Sequence, residues 1–260
     1  MEEQEIVKII EDKYKIDIEK IEKSKESTDG NVYIIKDKNK KYALKLYESE
    51  EHTNAMVKIH SLLADNKIDA PQIIKSAQNN NYEVYKKIYL VLYSFVEGKK
   101  IKEIEFDNNK IKQVSEYLKK LHSIKIKDDD EFKAVALLPG DNAENVLLHF
   151  DVTKNNIFAA DNKIVFIDFD DAKYGPATFD IAIAVTNLFI SKSSGANIEG
   201  INLFINEYYD NDTKKINEQL PKIKEAALYW LNETVSKQNL SSSIKEGLNN
   251  KINWINRIWS

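Results

Sequence analysis

The sequence predicts an α+β fold of two lobes, the first a mainly antiparallel β-sheet and the second mainly helical. Three observations carry that expectation. The chain has 260 residues, beyond the commonest domain size of about 100–150, so two cores are within reach. Before Glu97 it consists mostly of short β-prone runs separated by turn residues. After Gly98, apolar residues recur at helical spacing. The Glu97-Gly98 bend is the expected boundary, with an N-lobe over 1–96 and a C-lobe over 97–260.

Ile6, Ile9 and Ile10 place an amphipathic helix over 2–13. Strands are expected over 21–27, 32–36 and 42–47, joined through Thr28-Asp29-Gly30-Asn31 and the turn residues 37–40. Met56, Ile59, Leu62 and Leu63 make 53–64 a helix, and 72–76, 82–86 and 89–95 read as further strands. In the second lobe Ile111, Val114, Leu118 and Leu121 mark a helix, followed by a polar loop over 125–130. Strands over 156–159 and 164–169 precede a nearly all-apolar, buried helix over 179–190. Helices over 201–209, 216–238 and 242–259 complete the chain.

Composition narrows the function classes. With 42% hydrophobic and 31% charged residues the chain suits a folded protein. It has no cysteine, which excludes disulfides, thiolate metal sites and a cysteine nucleophile. The start, MEEQEIVKII, lacks a basic, apolar signal peptide, and no apolar run approaches the ~18–20 residues that span a bilayer. A cytoplasmic protein with no membrane partner is expected. A net charge of −4 and a pI near 5.7 argue against nucleic acid as a partner. His52, His60, His122 and His149 do not form a zinc-binding pattern.

The chemistry concentrates in LLHFDVTKNNIFAADNKIVFIDFDDA. Phosphoryl transfer needs a carboxylate to orient or deprotonate the attacking hydroxyl, and oxygen ligands to hold Mg²⁺ against the phosphates. Asp151 fits the first role; Asn156 and Asp168 fit the second. Asp151 and Asn156 stand five residues apart, the spacing of a kinase catalytic loop. A hairpin then returns Asp168 towards them.

On these residues the chain resembles the aminoglycoside phosphotransferase and choline kinase family. His149-Phe150-Asp151 with Asn156 is similar to the family's His-Gly-Asp-x-x-x-x-Asn loop. Ile167-Asp168-Phe169, then Tyr174-Gly175-Pro176 and Phe179-Asp180-Ile181-Ala182, resemble its Mg²⁺-binding segment, and Leu121-His122-Ser123 its Leu-His helix ending. The resemblance implies a protein-kinase-like bilobal fold, an ATP-dependent phosphotransferase with an alcohol acceptor, and structural roles for His149 and Asp180. Ala43-Leu44-Lys45 looks like the Val-Ala-Ile-Lys strand, so Lys45 would contact the α/β-phosphates.

Two departures stand beside it. The 53–64 helix has no glutamate to pair with Lys45, leaving Glu51 as the candidate partner, although an acid at a helix entry also stabilises the helix dipole. The turn over the phosphates has a single glycine, and Gly30 and Asn31 are the residues expected to approach them. Ser94, Phe95 and Val96 would form the segment that meets the adenine. Lys154 could neutralise the transferring phosphoryl group.

The expected cofactors are ATP, with GTP as an alternative, and Mg²⁺; the expected partner is a small molecule bearing a hydroxyl. For a polyamine sugar, Glu207, Asp210 and Asp212 offer carboxylates. For a choline-like acceptor, Tyr208, Tyr209, Tyr229 and Trp230 offer aromatic faces. A protein kinase is disfavoured, because Asp168 and Asp180 stand only twelve residues apart and Ala-Pro-Glu is missing. A non-catalytic nucleotide-binding or regulatory protein of the same fold is the alternative from another class.

Overall fold

The computed structural model describes residues 1–24, 31–125, 145–160, 162–191, 195–237 and 240–259. The expected turn residue Gly30 and almost all of the 125–130 loop lie outside them. The chain divides into two compact units, Met1–Glu97 and Gly98–Ser260.

The first unit opens with α1 (Glu3–Tyr14) and continues through β1 (Lys20–Lys23), β2 (Val32–Lys36), β3 (Lys41–Tyr47), α2 (Glu50–Asp65), β4 (Glu83–Tyr85) and β5 (Ile88–Ser94). The strands form one antiparallel sheet in the order β1-β2-β3-β5-β4. Alternation along the central strands sends side chains to both faces. Leu44, Leu90 and Leu92 meet Ile6, Ile10 and Tyr14 of α1 in one core with Tyr33 and Ile35. On the opposite face Tyr93 packs against His60 of α2, with ring centroids 4.7 Å apart. The run 72–76 is not a strand. Only Ile73 bridges to Tyr93, while Ser94 binds Gln72 through N–H to carbonyl and through its hydroxyl, both at 2.8 Å.

In the second unit β6 (Lys99–Lys100), β8 (Ile157–Ala160) and β9 (Lys163–Phe166) form one small sheet, and β7 (Val146–Leu148) pairs with β10 (Lys173–Gly175). Gly98 precedes β6 at φ +135°, where a Cβ would stand 2.4 Å from the Ala159 carbonyl oxygen, so a side chain is excluded. Helices α3 (Asn108–Leu121), α4 (Thr178–Ala184), α5 (Ile198–Tyr208), α6 (Thr213–Ser236) and α7 (Ser242–Ile258) make up most of the rest. The apolar helix expected over 179–190 is α-helical only to Ala184 and continues as a π-helical stretch, Val185–Phe189. Every residue of α4 is buried, as its lack of a polar face requires. Among the described residues no helix is long and apolar enough to cross a membrane.

Candidate active site

The site grows out of the β8–β9 hairpin and the loop before it. The ladder pairs Ile157 with Phe166, and the Ile167 N–H continues it by donating to the Asn156 carbonyl at 2.9 Å. Asn156 therefore sits opposite Ile167, the residue before Asp168, where the hairpin opens. Strand β9 ends at Phe166 rather than 169, because Asp168 adopts φ +66°, a left-handed conformation no strand accommodates.

Within the loop, Asn156 Nδ2 donates to Asp151 Oδ2 at 2.6 Å and to the Asp151 carbonyl at 3.2 Å. The five-residue spacing thus brings the expected base and one expected metal ligand into direct contact. With Nδ2 on Asp151, Oδ1 is the Asn156 atom suited to a cation. Burial raises the Asp151 carboxyl above the ordinary carboxylate range; the charges of Asp171 and Asp168 push the same way, and the Asn156 bond acts against them.

His149 is fully buried. The Asp151 N–H donates to its Nδ1 at 3.2 Å, and its Nε2 meets the Ile167 carbonyl at 2.9 Å. An N–H only donates and a carbonyl only accepts, so the ring carries its proton on Nε2. One imidazole thereby ties the backbone of Asp151 to the residue before Asp168. Phe166 and Phe169 enclose the ring, at centroid distances of 5.3 and 4.5 Å.

Asp180, on α4, is also fully buried. Its Oδ2 accepts from the His149 N–H at 2.7 Å and its Oδ1 from the Phe150 N–H at 2.8 Å. His122 Nε2 donates to Oδ2 at 3.0 Å. His122 Nδ1 lies 2.7 Å from the Tyr208 hydroxyl, whose ionisation burial pushes far upward. The sequence marked His122 only as a helix ending. Its part in the Asp180 network, like that of Tyr208, follows from the packing of α3 against α5, which no local motif encodes.

Phe150 occupies the position where the resembling family has glycine, and its φ of +64° is the reason glycine suits it. Its ring lies 4.0 Å beneath the Lys173 ammonium and 6.1 Å from Phe179. Lys154, expected to face the phosphoryl group, stands over the Phe106 ring at 5.7 Å.

In the first unit Lys45 pairs with Val91 and Val32 in the sheet. It alternates with Leu44, which faces α1, so it belongs to the face that carries α2. Glu51 is exposed in the first turn of α2. Asn31 gives its carbonyl to the Leu46 N–H at 2.9 Å. The Ser94 N–H is taken by the Gln72 carbonyl at 2.8 Å. Phe95 lies under Lys41, whose ammonium also bonds Glu97 at 3.1 Å.

The carboxylates expected near an acceptor have local partners. Glu207 pairs with Lys112 at 2.7 Å, Asp210 with Lys119, and Asp212 caps α6. Tyr208 and Tyr209 are buried, while Tyr229 is exposed with its ring edge on Phe179.

Residues 125–203 match the model of the phosphotransferase enzyme family. No curated protein sequence matches the chain. Among solved structures, an amicoumacin kinase in complex with AMP-PNP, Ca²⁺ and Ami is similar over 100% of this chain and 93% of its own, at 16% identity and a TM-score of 0.71. Spectinomycin phosphotransferase with ADP and spectinomycin is similar over 99% and 98%, at 15% identity and a TM-score of 0.71. The fold is that of the aminoglycoside phosphotransferases. A microcompartment-associated aminopropanol kinase shares it, over 99% and 95% of the two chains at 14% identity and a TM-score of 0.68.

Hard oxygen donors from Asn156 and Asp168 suit Mg²⁺, which takes one or two protein ligands and completes its shell with water and phosphate. Among the described residues no three His, Asp or Glu side chains are arranged to hold an ion by themselves.

Proposed function

We propose that the chain is a small-molecule kinase that transfers the γ-phosphoryl group of ATP, or of GTP, to a hydroxyl of an aminoglycoside-like or choline-like acceptor. The observation that carries this reading is the 2.6 Å bond between Asp151 and Asn156, in a loop anchored by two backbone bonds to the buried Asp180.

Asp151 is the base. The acceptor oxygen forms a bond to the γ-phosphorus, the bond from that phosphorus to the β-bridging oxygen breaks, and Asp151 Oδ takes the hydroxyl proton. Burial favours this by making the carboxylate a better proton acceptor than a solvated one. Asn156, through the same bond that shapes the loop, orients Asp151 towards the acceptor. Asn156 Oδ1 and the Asp168 carboxylate are assigned to Mg²⁺, which when bound offsets the charge of the β- and γ-phosphate oxygens. Lys45 is assigned to the α/β-phosphates with Glu51 as its candidate partner, Gly30 and Asn31 to the phosphate-covering turn, and Phe95 and Val96 to the base of the nucleotide. His149 and Asp180 act as supports. The named ligands of the amicoumacin and spectinomycin enzymes support a nucleotide and a small-molecule acceptor.

The test is incubation of the purified protein with Mg²⁺ and ATP or GTP against aminoglycosides, choline, ethanolamine and aminopropanol, with products read by mass spectrometry. A phosphorylated acceptor is expected, and its identity separates an antibiotic-modifying role from a metabolic one. Nucleotide binding without any phosphorylated product would favour the non-catalytic alternative.

A further inference from the structure

Lys251 lies on the inward face of α7 with Gly247, Leu248 and Ile255, only 6% exposed. An ammonium is costly to bury, and methionine, of similar length, would fill such a position without that cost. The Lys251 ammonium donates to Asn187 Oδ1 at 3.1 Å, and Asn187 Nδ2 donates to the Val152 carbonyl at 3.3 Å. Val152 is fully buried and directly follows Asp151. Asn187 sits in the π-helical stretch Val185–Phe189, whose wider turn offsets its side chains from α-helical directions; such turns concentrate at functional sites.

We propose that Lys251 and Asn187 are positioning residues that hold the Val152 carbonyl, and with it the Asp151 side chain, so that the C-terminal helix sets the geometry of the 149–156 loop. The amide is the necessary middle member. A carbonyl cannot accept from a distant lysine, and an amide both receives the ammonium on Oδ1 and passes a donor onward from Nδ2. The catalytic consequence rests on the proposed kinase function; the loop geometry does not.

The experiment compares Asn187→Asp, Lys251→Met and the parent by hydrogen exchange and by turnover. Aspartate still accepts from Lys251 but offers Val152 no donor, so the lysine pair survives and only the link to the loop is cut. The expected result for Asn187→Asp is a folded protein whose melting temperature falls by no more than a few degrees, the scale of one lost buried hydrogen bond. Exchange of the 150–156 amides should rise about fivefold, the scale of one hydrogen bond, while β2, β3 and β5 stay unchanged. Turnover should fall about tenfold or more with nucleotide affinity held. Lys251→Met should loosen the same amides. Unchanged loop exchange in Asn187→Asp overturns the proposal, as does full turnover in both variants. If the loop loosens while the parent phosphorylates no acceptor, the positioning holds and the kinase reading fails.

Discussion

Phe150 offers a test that isolates backbone geometry from packing. The residue is held at φ +64°, which costs an L-residue about 1–2 kcal/mol. Glycine pays no such strain but loses about 0.5–1 kcal/mol of extra chain entropy on folding. Removing the ring forfeits its contacts with Phe179 and Lys173 equally in Phe150→Ala and Phe150→Gly. The ring is only half-buried, so that shared loss falls near the low end of about 1.5–3 kcal/mol for a buried phenylalanine. Both variants should therefore melt below the parent. Between them, glycine should be more stable by about 0.5–1 kcal/mol, or about 1–4 °C for a chain of this size. Elsewhere in regular structure alanine is the more stable of the two. Differential scanning calorimetry of the pair decides it, and a Phe150→Ala protein that melts at or above Phe150→Gly would refute the left-handed assignment.

Other expectations follow from the same network. Asp180→Ala strips acceptors from the His149 and Phe150 N–H groups and from His122, and should cost about 3–5 kcal/mol in denaturant unfolding; Tyr208→Phe, which removes one buried bond to His122, should cost about 1–2 kcal/mol. Gly98→Ala should destabilise by about 1–3 kcal/mol from its backbone alone, before the clash with the Ala159 carbonyl. The Lys86 ammonium at 2.7 Å, then the Glu2 N–H and the Tyr85 hydroxyl, hold the Glu5 carboxyl at about 2. A depressed acid stabilises the fold above its unfolded value, and that contribution fades as pH falls towards 2. Carboxyl NMR titration should find Glu5 near 2 in the parent and nearer the ordinary range in Lys86→Ala.

Much of this architecture is legible in the sequence because it is carried by long periodic segments. Ile6 and Ile10, or Val114, Leu118 and Leu121, repeat over enough turns to define buried helix faces. What is short escapes. Strands β6, β7 and β10 have two or three residues each, too few for an alternation to register, and they exist because neighbouring segments supply partners. The opposite error occurs at 72–76, where apolar residues flank a single bridge. At the site, side-chain identity and spacing identify Asp151, Asn156 and Asp168, whereas the left-handed turns at Phe150 and Asp168 depend on tertiary support. Lys251 reads in sequence as one more solvated lysine. Only the packing of α6 and α7 reveals it on a buried face, and the π-helical turn that aims Asn187 at it has no signature among VTNLF.

The central claim is that Asp151 takes the acceptor's proton during phosphoryl transfer, and Asp151→Asn tests it most directly. The amide keeps the size of the carboxylate and an oxygen to accept from Asn156 Nδ2, so fold and nucleotide affinity should be retained. Product formation, followed by mass spectrometry with the acceptor that the parent phosphorylates, should fall by about 10²–10⁴-fold. Phosphorylation that continues at the parent's rate in Asp151→Asn would contradict the account.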